Sequence, residues 1–113
     1  MQEFSVTVSG GPAGGTQVVV LAGELDLAAA DEFWTALEPV LQPGSSVVVD
    51  CAALSFLDSA GIRIMLRGAQ RIGELGGGWR LTAVQPPVLR VLELAGLTDV
   101  LSAGPDPDQP SRA

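Results

Sequence analysis

Two valine-rich runs, Val18-Val19-Val20-Leu21-Ala22 and Val47-Val48-Val49, are each followed by an acidic turn and then by apolar residues recurring every three or four positions. β-branched runs favour strands, and a three-to-four repeat puts side chains on one face of a helix. After the first run, Ala30, Phe33, Leu37 and Leu41 predict a helix beginning near Leu27, which Pro39 ends or kinks near Glu38. After the second, Ile62, Met65, Leu66, Ala69 and Ile72 predict another, stopped by Gly76-Gly77-Gly78.

The remaining segments fill in around these units. Phe4, Val6 and Val8 alternate with Ser5, Thr7 and Ser9, the period-two pattern of a half-buried strand, and Gly10 to Gly15 turns it back on the first valine run. Pro43-Gly44-Ser45 is a turn, Ser46 to Cys51 a third strand, and Leu54 to Leu57 a short apolar approach to the second helix. Both valine-rich strands are expected to be covered on both faces. Trp79 to Val84 predicts a fourth strand, although Val84 breaks its alternation. Pro86-Pro87 opens a third helix through Val88, Val91, Leu92 and Ala95, with Gly96 as its C-terminal cap, and Leu97 to Leu101 adds a short edge strand. The expected fold is α/β: a mixed sheet of four to five strands opening with an antiparallel hairpin, packed with three to four helices. It occupies residues 1–103; the proline-rich, acidic residues 104–113 are expected to form a disordered tail.

The residues that are missing exclude most chemistry. The 113 residues include no His, Lys or Tyr, and every basic side chain is an Arg. Nucleophile activation by His or Lys, a Schiff base and a Gly-Lys-Ser/Thr phosphate loop are therefore all excluded. With 13 acidic residues against 6 basic ones, the net charge of -7 opposes nucleic-acid binding. No apolar run reaches the roughly 20 residues of a membrane span, and no signal peptide is evident at the amino terminus. A lone cysteine, Cys51, reads as a buried thiol in a cytoplasmic protein.

Three features remain as candidate sites. Asp58 and Ser59 stand where the third strand gives way to the second helix, whose first-turn N–H groups and dipole stabilise an anion, so Ser59 could accept a phosphate. Either residue could equally be an N-cap only. Asp26, in Gly23-Glu24-Leu25-Asp26, leaves the second strand and is expected to approach Ser59, or else to cap the first helix. A weaker reading gathers Glu24, Asp26, Asp50 and Asp58 as carboxylates for acid/base work or magnesium. Finally, Arg63, Arg67 and Arg71 repeat every fourth residue as a basic stripe: a docking face, or a solvated one with Glu74 pairing to Arg71.

Gly23-Glu24-Leu25-Asp26, followed by Val47-Val48-Val49-Asp50, Leu54-Ser55-Phe56-Leu57-Asp58-Ser59-Ala60-Gly61 and Leu94-Ala95-Gly96-Leu97, resembles the STAS family and, within it, bacterial anti-sigma factor antagonists. The likeness spans residues 2–101. It implies a non-enzymatic protein without cofactors that binds an anti-sigma factor with serine kinase activity while unphosphorylated. Phosphorylation then ends the interaction, and a serine phosphatase resets it. Carried over by position, the phosphorylated residue would be Ser59, and Asp26 the acidic residue beside it on the partner surface; together with the entry to the second helix and the basic stripe, the expected partner-binding residues are Asp26, Asp58, Ser59, Ala60, Gly61, Arg63 and Arg67. Ala60 departs from the best-known members, which have a second hydroxyl there. The alternative within the family is a constitutive STAS interaction module of a transporter or signalling assembly, without the switch.

Overall fold

The computed structural model describes residues 3–12 and 14–104. The elements run β1 (Ser5–Gly10), β2 (Thr16–Leu25), α1 (Ala30–Leu37), a 3-10 turn (Glu38–Val40), β3 (Ser46–Leu57), α2 (Ser59–Glu74), β4 (Gly78–Thr82) and α3 (Pro86–Leu94). They form one four-stranded sheet in the order β1-β2-β3-β4. Only the β1/β2 hairpin is antiparallel; β2/β3 and β3/β4 are parallel. The predicted fold class therefore holds, at four strands and three α-helices. The acidic tail expected over residues 104–113 lies outside the described residues apart from Gly104.

Helices cover one face of the sheet only. Along β2, buried Val19 and Leu21 alternate with half-buried Val18 and Val20, and β3 repeats this with Val47 and Val49 against Val48. Complete cover, expected from the valine runs, is thus corrected: the second face carries half-exposed valines rather than another layer. Under the helices lie Val19, Leu21, Phe33, Leu37, Val49, Leu54, Met65, Ile72, Leu81 and Leu92 in one core. Each such aliphatic or aromatic side chain contributes about 1.5–3 kcal/mol on burial.

Four further expectations change. The first helix starts at Ala30, because residues 27–29 form a turn whose amides are held by carboxylates. The apolar approach Leu54–Leu57 is part of β3, kept in the sheet by pairing with Gly23, Glu24 and Leu25 through two register shifts that each take up an extra residue of β3. Leu97 to Leu101 is no strand; just beyond it, an isolated bridge joins Ala103 to Leu81. Val84 breaks the β4 alternation because Ala83 takes a left-handed φ of 55°, which ends the strand and turns Val84 into the core.

Glycine sets how closely α2 approaches the sheet. A Cβ on Gly61 would stand 2.7 Å from both Leu25 Cγ and Leu57 Cδ1 and 2.9 Å from the Leu25 carbonyl oxygen. One on Gly68 would meet Leu37 and the Trp79 ring at 2.8 Å. Only a bare backbone fits at these positions, so the first turn of α2 rests directly on the ends of β2 and β3.

Candidate functional site

Leu25 and Leu57 are register partners at the ends of two parallel strands, which lie about 4.8 Å apart. The next residue of each strand, Asp26 and Asp58, therefore leaves the sheet beside the other. The Asp58 N–H donates to the Leu25 carbonyl at 3.2 Å, and the Ser55 hydroxyl donates to the Gly23 carbonyl at 3.1 Å, so the two strand ends are fastened together.

Asp58 is extended, with φ -111° and ψ -175°, and is the N-cap of α2. Its Oδ1 accepts from the N–H of Ala60 at 2.9 Å and of Gly61 at 3.2 Å, satisfying two amides that the helix cannot pair for itself. Its Oδ2 accepts from the N–H of Leu27 at 3.2 Å, across to the other loop. Asp26 Oδ1 accepts from the Ala29 N–H at 3.1 Å. That bond closes the turn before α1; it does not cap α1, whose N-cap is Ala29.

This division of labour decides which acidic-turn residue is left for other work. Capping falls to Asp58, so Ser59, at the first position of α2, is exposed and its hydroxyl makes no hydrogen bond among the described residues. A small, accessible alcohol stands at the positive end of a sixteen-residue helix. Ala60 and Gly61 lie beneath it, buried, their amides turned to Asp58.

The family model described as "Mlab, STAS domain" matches residues 11–102. The chain belongs to the STAS domain family. Among relatives of this STAS domain is an anti-sigma F factor antagonist from Paenibacillus polymyxa, 30% identical over 77% of this chain and 76% of that protein. An anti-sigma factor antagonist from Mycobacterium paratuberculosis superposes with a TM-score of 0.79 at 26% identity, covering 94% of this chain and 89% of the other. The antagonist SpoIIAA in its unphosphorylated form shares the fold, with a TM-score of 0.74 at 21% identity over 88% of each chain. These relatives are regulatory binding proteins rather than enzymes, and the STAS domain stands with the anti-sigma factor antagonists.

Around Ser59 the STAS domain presents two apolar side chains that the sequence reading missed. Leu27 is 76% exposed and Phe56 47% exposed. Leu27 directly follows Asp26 and is tied to Asp58 through its amide; Phe56 sits opposite Glu24 near the end of β3. Their signal in the sequence was faint: Leu27 reads as the start of a helix and Phe56 as part of the apolar approach to the next one. A shallow hollow of about 230 Å³ lies at the end of β2, lined by Glu3, Phe4, Glu24, Asp26, Ala28, Ala29 and Glu32.

The arginine stripe divides into three different environments. Arg71 pairs with Glu74 at 3.6 Å, as the sequence suggested. The Arg67 guanidinium lies 3.9 Å from the centroid of the Trp34 ring, a cation–π contact. Arg63 is exposed and makes no ion pair among the described residues. Asp50 does not join the other carboxylates: it lies in mid-strand, about 25 Å before Asp58 along β3, and accepts from the Ala52 N–H at 3.0 Å. Among the described residues no three His, Cys, Asp or Glu side chains are grouped to hold a metal ion, and no helix is long and apolar enough to cross a membrane. Cys51 is fully buried, and burial, with Asp50 beside it, pushes its thiol up to about 12.

Proposed function

We propose that this STAS domain is a cytoplasmic antagonist that binds an anti-sigma factor with serine kinase activity, and that phosphorylation of Ser59 switches the interaction off until a serine phosphatase restores it. The observation that carries this reading is that Asp58 performs the capping, which leaves the Ser59 hydroxyl accessible and unengaged. Exposed Leu27 and Phe56 supply the apolar part of the docking face, and Asp26 and Arg63 its charged rim. Ala60 and Gly61 seat the helix that displays Ser59.

A phosphate adds about -1.5 to -2 charge beside two carboxylates. In the free domain, water and the amino end of α2 solvate it. In a complex that buried the neutral hydroxyl, the dianion would have to lose that water next to Asp26 and Asp58, and the complex dissociates.

Incubating the domain with its anti-sigma factor kinase, magnesium and ATP tests this assignment. One phosphate, mapped to Ser59 by mass spectrometry and absent from Ser59→Ala, is expected. Phosphate on another residue overturns the assignment to Ser59, and no phosphate at all overturns it in favour of a constitutive STAS interaction module.

A further inference from the structure

We propose that Arg63 is the internal counter-charge of phosphorylated Ser59: the guanidinium folds back onto the phosphate and holds it against the first turn of α2. This rests on the reading of Ser59 as the phosphorylated residue and goes further by naming what the phosphate touches in the free domain.

Ser59 and Arg63 are four residues apart on α2 and both are exposed. At that spacing Cβ atoms are about 5–6 Å apart. Helical side chains lean toward the amino end, so that of Arg63 tilts toward Ser59. An acid four residues before a base is also the more favourable order along a helix. Guanidinium and phosphate match as a two-pronged pair, with charge-assisted bonds roughly twice as strong as neutral ones.

The other two arginines of the stripe are engaged: Arg67 lies over Trp34, and Arg71 pairs with Glu74. Arg63 alone of the three is uncommitted, and it is the one within reach of Ser59. Phosphorylation then changes the docking face twice. It adds a dianion and withdraws Arg63, the cation on that rim, from any acidic group of the partner.

The groups facing the phosphate are Arg63 and the helix amino end, which favour the dianion, and Asp26, Asp58 and Glu24 from the two strand ends, which disfavour it. Phosphoserine installed at position 59 by genetic encoding, in otherwise wild-type protein and in Arg63→Gln and Arg67→Gln variants, separates these contributions without any kinase. Its second ionisation is followed by phosphorus NMR. Removing Arg63 is expected to raise that pKa by about half a unit or more, an effect that shrinks in 1 M salt, while Arg67→Gln leaves it in place. An unchanged value in Arg63→Gln, or an equal shift in Arg67→Gln, overturns the inference. Because the phosphoserine is genetically encoded rather than added by a kinase, that failure is distinct from failure of the kinase to modify Ser59.

Discussion

The Asp58 carboxylate accepts the Leu27 amide at 3.2 Å, joining two loops 31 residues apart in the chain while its other oxygen caps α2. One side chain thus sets both the helix that displays Ser59 and the loop that displays Leu27. The two bonds can be separated by mutation. Asn caps a helix about as well as Asp, but its amide cannot accept from Leu27 with the second prong, so Asp58→Asn is expected to cost about 0.5–1.5 kcal/mol. Asp58→Ala loses the cap as well and should cost about 1–3 kcal/mol. Urea unfolding measures both, and the Leu27 amide resonance should move in both variants.

The fold was legible because its signals are periodic: β-branched runs and three-to-four repeats survive in any reading of Val18–Ala22 or Ile62–Ile72. That the two acidic turns leave the sheet side by side was legible too, from parallel connectivity alone. Cover on the outer sheet face was not, since Val18, Val20 and Val48 are as apolar as the buried valines beside them, and half-burial leaves no mark in composition. Nor could spacing distinguish a cap from a free hydroxyl at the Asp58-Ser59 step. That depended on Asp58 Oδ1 reaching two amides, a fact of side-chain geometry.

Two glycines on α2 should respond to alanine with opposite signs. Gly73 has open space around a Cβ, so Gly73→Ala is expected to stabilise by about 0.5–1 kcal/mol through helix propensity. At Gly61 the added carbon would meet the Leu25 carbonyl oxygen at 2.9 Å, which backbone cannot readily yield, and overpacking of this kind costs about 1–3 kcal/mol. Thermal unfolding of the two variants side by side decides the matter; a stabilised Gly61→Ala would refute the close approach of α2 to the strand ends.

Cys51 should make stability fall in alkali. The unfolded chain releases the thiol proton near 9.0, whereas burial and the neighbouring Asp50 hold it in the folded chain to about 12. Between those values the folded state binds more protons, so unfolding becomes easier as pH rises, by up to about 1.4 kcal/mol per unit. Cys51→Ala, although less stable at neutral pH, should lose that part of the alkaline slope in denaturant titrations. Native protein should also leave the thiol unreactive toward aromatic disulfides until it unfolds.

Arg67 contributes by stacking rather than by pairing. Arg67→Ala should cost about 0.5–1 kcal/mol and shift the emission of Trp34, which loses the guanidinium 3.9 Å from its centroid. Charge reversal at the exposed Arg63 should leave the emission as it is.

The most direct test of the switch is calorimetric titration of the host's anti-sigma factor kinase with the domain in two states, unmodified and stoichiometrically phosphorylated at Ser59. A penalty of about 4 kcal/mol raises the Kd on the order of a thousandfold, which is the result expected. Equal affinities for the two states would contradict the account.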